Sequence, residues 1–563
     1  MPSIRIHLYL VLLLSARWCF GAIYESIADL PKHKSFDFIV IGGGTAGNVV
    51  ANRLTENPHF SVLVLEAGPS PEGLINYTVP FFNVFLRQSN PRDWNYTLTA
   101  IPGLNGRVVP FPRGRLLGGS SAMNGVVYVR GSKADYDGYA AYSGDPGWAW
   151  DAIQPYIRKN EHWTVSTDRH SESGKFNLAV HGFHGINAVS LPGFTYPVVD
   201  ARVKQVTEEM TDQFPFNRDY NSGFPLGVSW TQNTIKHGKR SSSFSSYLGP
   251  EFIGRPNLHV VLNAQATRLI QTSQGPKEFK TVEFAQTEGG IICSDCPVLV
   301  LIRPHSKLGI QPRVNLPEVG KNLSVHMGVS LPYFVNGTDT FDDIIRNLTY
   351  RQILLDQWKA TNGGGPLGVG FSSHTSFARL SPDSPVLKTH PDPAPGPRSP
   401  HFQSGTQNGN INPPPEGHFL SVGATLLTPT SRGTIQLNGT NPFSRPLIDL
   451  ACLTTDFDIS ALREGMKSAL RFIEANACET GDADLEIFAR AKGAPNYHII
   501  GTASMSPKGA NYSVVDPDLL VKKIQHLRVV DASVLPFLPA GNTQAAVYIV
   551  AERAADLIKS KWQ

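Results

Sequence analysis

The stretch Phe36-Asp37-Phe38-Ile39-Val40-Ile41-Gly42-Gly43-Gly44-Thr45-Ala46-Gly47 begins as a short apolar, β-branched run, turns on glycines and enters a helical pattern that lasts through Leu54. Val62-Leu63-Val64-Leu65 then supplies a second buried strand, which ends in Glu66, nineteen residues past Gly47. Strand, glycine turn, helix, strand and acid make a βαβ unit, and the fold class is α/β. A diphosphate needs backbone N–H donors and no side chain in the way, which Gly42, Gly44 and Gly47 provide at the positive end of a helix whose first turn holds Thr45 and Ala46. Glu66 is placed to accept hydrogen bonds from ribose hydroxyls, and its charge disfavours a 2′-phosphate. NAD or FAD is therefore expected rather than NADP. Without Glu66 the same glycines would read equally well as an ordinary tight strand-to-helix turn.

The 563 residues allow two to four domains, or one large two-part enzyme. Hydrophobic residues make up 41%, aromatics 10% and charged residues 17%, which suits a folded chain with a large core. Fifty Lys plus Arg against 46 Asp plus Glu give +4 with no long run of one sign, so no nucleic-acid partner is expected. The expected partner is a small molecule, and the expected assembly a monomer.

Arg5 and His7, the apolar run Leu8–Leu14 and the small residues Gly21 and Ala22 have the layout of a secretory signal peptide over residues 1–21. A buried N-terminal helix is the alternative. Cleavage would remove Arg5 and Arg17 and leave a net charge of +2. No later segment has 18 uninterrupted apolar residues, so no membrane association is expected. Asn-x-Ser/Thr sequons at Asn76, Asn95, Asn322, Asn336, Asn347, Asn438 and Asn511 favour a glycosylated, extracellular product. Cys293 and Cys296 have the spacing of half a zinc site or of a redox pair, yet no second pair or nearby His completes it, and no metal is expected.

Further along, strand-like runs at Leu258–Leu262 and Thr281–Phe284 predict a β-meander. Pro382–Gly417 is dense in Pro, Gly, Ser and Asn and reads as a long surface loop or lid. Helices are expected at Asp456–Glu474 and Thr543–Lys561.

Pro112-Arg113-Gly114-Arg115-Leu116-Leu117-Gly118-Gly119-Ser120-Ser121-Ala122-Met123-Asn124-Gly125 is a second glycine- and serine-rich run. It can lay main chain flat against an elongated cofactor, with Arg113 or Arg115 facing its charged or electron-rich parts. These residues resemble the first signature of the glucose-methanol-choline (GMC) flavin oxidoreductases. Asp93–Tyr96, Arg240–Ser243, Asn263–Thr267 and the stretch from His498 to Lys559 resemble the family as well. The likeness runs from about Phe36 to Lys559 and is greatest to secreted fungal members such as aryl-alcohol oxidase and pyranose dehydrogenase.

The resemblance implies FAD, oxidation of an alcohol group, and a Rossmann-like FAD-binding domain with an interleaved α+β substrate-binding domain built on an antiparallel sheet. Residues 36–330 would be mainly FAD-binding with an inserted substrate-domain segment, 331–490 mainly substrate-binding, and 491–563 a return to the FAD domain. The cofactor residues it implies are Gly42, Gly44, Thr45, Ala46, Gly47, Glu66, Arg113, Gly118, Gly119, Ser120, Asn124, Gly125, Ala266, Asp531, Ala532, Thr543 and Gln544. Asp531-Ala532-Ser533 would be a strand end approaching the cofactor.

The family places its catalytic histidine at His498. Hydride leaves an alcohol carbon easily only as the hydroxyl proton is withdrawn, and a neutral imidazole suits that task. Asn542 falls where several relatives have a second His; it can donate a hydrogen bond to the substrate oxygen and cannot take a proton. Tyr497 would form an aromatic wall for substrate. The electron acceptor would be O2 or a quinone.

Met123 stands where pyranose dehydrogenases tether their flavin through a His, so FAD is expected to bind non-covalently. Gly125 replaces the tyrosine that closes the aryl-alcohol oxidase pocket, which predicts a more open site. The chain is short against the family pattern at Cys293–Gln311 and at Asn476–Gly493, and Val325 replaces the Asp that usually precedes the His at 326. Two alternatives follow: a catalytically impaired homologue acting as a secreted binding protein, and a hydroxynitrile-lyase-like member.

Overall fold

The computed structural model describes residues 22–30, 35–86, 90–271, 278–286, 292–295, 298–299, 314–473 and 481–562, with 292–295 and 298–299 as backbone. A parallel sheet takes its strands in the order β1 (Ala22–Tyr24), β5 (Leu258–Val261), β3 (Val62–Leu65), β2 (Phe38–Ile41), β9 (Val298–Leu299). Strands β2 and β3 pair Phe38 with Val62 through Ile41 with Leu65, and β3 pairs Val62 with Leu258 on its other edge. All four β3 side chains are buried because both faces of the sheet are covered. On one face Val62, Val64, Leu258 and Val260 meet Val49, Val50 and Leu54 of helix α1 (Thr45–Leu54) and the C-terminal helix α3 (Gln544–Trp562). On the other, Leu63, Leu65 and Val261 meet Val282 and Phe284.

The expected meander is corrected in part. Leu258–Val261 joins the parallel sheet, whereas β7 (Phe279–Ala285) lies between β6 (Gln265–Gln271) and β8 (Ile292–Asp295) in an antiparallel sheet. A short run of apolar residues does not reveal which sheet it will enter, and β5 entered the one that buries it on both faces.

A second layer is a six-stranded antiparallel sheet in the order β14 (Ala494–Pro495), β10 (Met327–Val335), β13 (His418–Leu426), β12 (Phe402–Gln407), β11 (Ser372–Ala378), β4 (Gly227–Trp230). Strand β4 comes from the N-terminal part of the chain, so the two layers are interleaved as expected. Helix α2 (Asp456–Ile473) covers one face, packing Phe457, Ala461, Leu462 and Met466 onto Phe402, Val422, Ala424 and Leu426. On the other face Phe377, Gln403 and Thr425 are cross-strand neighbours.

The reading of Pro382–Gly417 as a loop is corrected. It holds a short helix, Pro385–Thr389, and strand β12, which pairs on both edges. Polar Gln403, Ser404, Thr406 and Gln407 and the flanking Pro400 and Pro413–Pro415 hide that strand in the sequence. The two late helices form at Asp456–Ile473 and Gln544–Trp562. Among the described residues no helix is long and apolar enough to cross a membrane.

Candidate active site

The glycine turn closes β2 onto β3: Gly42 adopts φ +97° and its N–H donates to the Leu65 carbonyl at 2.8 Å. A Cβ on Gly47 would lie 1.9 Å from the Gly42 carbonyl oxygen, so α1 can start against this turn only with glycine there. Over Gly42 and Gly44 nothing lies within 4 Å of the Cβ position, and the first turn of α1 carries no acid. The result is an open groove with free N–H donors at the positive end of a helix.

Gly118 donates to the Gly43 carbonyl at 2.7 Å, and a Cβ on Gly119 would come within 2.9 Å of Gly44 Cα. The two glycine runs therefore interlock. Ser243 fastens them, with its Oγ donating to the Gly44 carbonyl at 3.1 Å and its N–H to Ser121 Oγ at 3.0 Å. Glu66, at the end of β3, is buried and accepts the Gly68 N–H at 2.8 Å; burial pushes its carboxyl up to about 7. A groove that bars side chains, helix donors and a carboxyl at its far edge together fit a dinucleotide.

Beyond this groove lies His498. The segment 496–500 runs antiparallel beside 324–326, through Asn496 N–H to the His326 carbonyl (2.9 Å) and Ile500 N–H to the Ser324 carbonyl (3.0 Å). That pairing sets the two imidazoles together with Nδ1 atoms 3.0 Å apart and rings nearly perpendicular. Tyr497 takes φ +62°, a conformation uncommon for a bulky side chain, and its carbonyl accepts Arg113 Nη1 at 2.7 Å. The Tyr497 ring itself leans on buried Phe111 at 5.4 Å.

On the other side of His498, Asn542 Nδ2 lies 3.2 Å from Nε2, and Asn542 Oδ1 accepts Gln403 Nε2 at 3.3 Å. The bond from Gln403 orients the amide, its nitrogen turned to the imidazole. His498 Nε2 then accepts, Nδ1 carries the hydrogen and His326 Nδ1 receives it. Burial, then the Arg113 guanidinium, hold His498 down to about 3, and burial, then His498, hold His326 well below the usual histidine range. Both rings are neutral at pH 7. Asp135 fixes the turn before Asn542 by accepting the Ala540 N–H at 2.8 Å, and Gly541 (φ +152°) has Val129 where a Cβ would go.

The remaining expected residues divide. Asn124 Nδ2 donates to Gln544 Oε1 at 2.5 Å, Ser120 Oγ accepts the Gly114 N–H at 3.2 Å, and Thr543 accepts the Val547 N–H at 3.1 Å at the start of α3. Nothing lies within 4 Å of the Cβ position of Gly125, in keeping with an open site there. Asp531–Ser533 is not a strand end: Asp531 Oδ1 accepts the Ser533 N–H at 2.8 Å and caps a 3-10 turn, Ala532–Val534. Ala266 packs toward the cluster of Leu63, Val261 and Phe284, while it is Ala264 N–H that bonds to the Glu66 carbonyl, at 2.8 Å. Met123 is buried among Tyr77, Leu86 and Leu116.

Two residues that the sequence did not assign a role join the site, His326 and Gln403. Gln403 was hidden in the apparent loop, and the resemblance alone pointed to the segment holding His326. Cys296 and most of 293–311 lie outside the described residues, and no group of three His, Cys, Asp or Glu able to hold a metal occurs among the described ones.

The GMC oxidoreductase family is matched over residues 36–328 and 429–551. Dehydrogenase eriK of Hericium erinaceus is 36% identical, covering 96% of this chain and 97% of its own. Pyranose dehydrogenase 3 of Leucoagaricus meleagris is also 36% identical, covering 99% and 98%. Among solved structures, a variant of the formate oxidase of Aspergillus oryzae RIB40, described for modification of its FAD, superposes with TM-score 0.84 at 28% identity over 94% of this chain and 99% of that one. A fungal aryl-alcohol oxidase shares the fold, with TM-score 0.79 at 22% identity over 94% and 99%.

Proposed function

The chain belongs to the GMC oxidoreductase family, and from that membership we propose that it is an FAD-dependent enzyme oxidising the CH–OH group of a sugar, a primary alcohol or an aryl alcohol. Bound FAD supplies the acceptor for the hydride. Gly42, Gly44 and Gly47 would face its diphosphate, Glu66 a ribose, and the Gly118–Asn124 run its flank. The thioether of Met123 is no nucleophile for the ring, which supports non-covalent binding. His498 Nε2 takes the hydroxyl proton. Asn542 Nδ2 donates to the substrate oxygen as negative charge builds there. His326 accepts the hydrogen on His498 Nδ1, so Nε2 keeps its lone pair, which Asn542 Nδ2 now occupies and a bound substrate hydroxyl would take over. The observation that carries this reading is the three-part contact of His326, His498 and Asn542 beyond a glycine groove fit for a dinucleotide.

We further propose secretion and N-glycosylation, supported by the layout of residues 1–21 and by the exposure of Asn76, Asn336, Asn347, Asn438 and Asn511. O2 or a quinone would reoxidise the enzyme, and the open site at Gly125 suits a sugar better than a flat aryl alcohol. The test is the visible spectrum of the purified protein under anaerobic conditions. A yellow protein bleached by a sugar or alcohol is expected, and regain of colour on adding O2 or benzoquinone identifies the acceptor. A colourless protein, or a yellow one that no such substrate bleaches, overturns the proposal.

A further inference from the structure

Residues 497–499 bow out of the pairing that holds their neighbours. On one side Asn496 N–H bonds to the His326 carbonyl at 2.9 Å; on the other, Ile500 and Ser324 exchange both main-chain bonds, at 3.0 and 3.2 Å. Tyr497, His498 and Ile499 therefore stand opposite Val325 alone. Extra residues of this kind bend a strand and re-aim a side chain. Here the bulge carries Tyr497 at φ +62° and presents His498 to His326 and Asn542. It also takes the Tyr497 carbonyl out of the ladder, and a carbonyl so displaced needs another donor.

Arg113 is that donor. Its Nη1 reaches the Tyr497 carbonyl at 2.7 Å, across 384 residues of chain. The main chain of Arg113 is itself pinned: Asp93 Oδ1 accepts its N–H at 2.7 Å, and its carbonyl accepts the Trp94 N–H at 2.9 Å. Buried Phe111, two residues earlier, meets the Tyr497 ring at 5.4 Å and the guanidinium at 5.9 Å. One fixed segment thus grips Tyr497 by its ring and by its carbonyl. A bulky residue keeps a positive φ only where its surroundings hold it there, and a charged donor is a strong hold. We infer that Arg113 is a positioning residue, which holds the strained peptide between Tyr497 and His498 and through it aims the His498 ring. This rests on the reading of His498 as the base.

The test compares holoenzyme of wild type, R113M, R113K, H498A and the double variant H498A/R113K. Glucose is the probe, or benzyl alcohol where glucose does not bleach the wild type. Flavin bound per chain is measured, and the anaerobic bleaching rate is followed against substrate concentration and pH. R113M and R113K are expected to keep their flavin and to bleach about ten- to a hundredfold more slowly at saturation, with the half-saturating concentration little changed. The acid limb should move to higher pH in R113M, which takes the cation from beside His498, and stay in place in R113K. On top of H498A, R113K should cost nothing more, because no ring is left to aim. If R113M fails to fold, R113K and the double variant decide. A double variant slower than H498A marks a general structural role and overturns the inference. A wild-type rate in R113K overturns it too, as does loss of flavin from R113K with the remaining holoenzyme bleaching normally, which would make Arg113 a cofactor contact. A wild type that neither probe bleaches, or H498A bleaching at the wild-type rate, defeats the reading on which this inference rests.

Discussion

His326 and His498 meet Nδ1 to Nδ1 at 3.0 Å, although 172 residues separate them in the chain. Since only one of the two nitrogens can carry the hydrogen, the contact selects a tautomer. Asn542 on the far side requires His498 Nε2 to be the acceptor, so the hydrogen sits on His498 Nδ1. Replacing His326 by Phe removes the acceptor and leaves His498 free to rotate or to switch tautomer. kcat should fall about 10- to 100-fold with FAD content unchanged, and H326Q, which keeps an acceptor, should recover part of the loss; steady-state kinetics with the spectrum of the same samples check this.

His498→Ala removes the proton acceptor itself. The rate of hydride transfer in anaerobic stopped flow should drop by about 10²–10⁴, while the yellow colour remains. A variant that bleaches at the wild-type rate would sink the assignment.

Gly44→Ala and Gly47→Ala should fail in different ways. Position 44 has φ −86° and open space where the Cβ would go, so the alanine folds and intrudes only on the groove. Position 47 has the Gly42 carbonyl 1.9 Å from its Cβ, so there the turn itself must move. Gly44→Ala is expected to lose FAD at a wild-type melting temperature of the stripped protein, and Gly47→Ala to lose both. Absorbance at the flavin band and calorimetric melting separate the two.

The pH profile follows from the depressed imidazoles. With His498 held down to about 3, activity should persist well below pH 6.5 before an acid limb appears. Asn542→Asp places a carboxylate against Nε2 and removes the donor to substrate. It should move that limb to higher pH and lower kcat together, as read from kcat/KM against pH.

Stability is linked to the same groups. His326, His374 and His498 have folded values below their unfolded one, so the stability they contribute is present above about pH 6.5. It is lost as pH falls toward about 3 for His374 and His498. Burial raises Glu66 to about 7 and Asp135 to about 6, so their contribution runs the other way and is lost as pH rises through those values. Melting temperature should therefore peak in mildly acidic to neutral buffer. His374→Phe, away from the cleft, should lessen the acid-side fall without touching kcat.

The βαβ unit was legible because its signals are local: a run of glycines, a buried strand on each side, an acid at the strand end. His498 and Asn542 were legible only through the resemblance, since their meeting depends on contacts remote in sequence. Strand β12 was not legible, because pairing with β11 and β13, and not an apolar pattern of its own, makes it a strand. Gln403 was lost with it. Asp531 read as a strand end only through the resemblance, but in the folded chain its own side chain caps a turn.

Helix α3, at the very end of the chain, packs Ala546, Val550 and Ala554 into the core that also holds Val49, Val50 and Leu54, and joins α1 through the Arg53–Glu552 ion pair at 2.8 Å. Arg53 and Glu552 stand 499 residues apart in sequence, so the helix behind the glycine turn has its apolar side fully covered only when a very distant segment folds onto it.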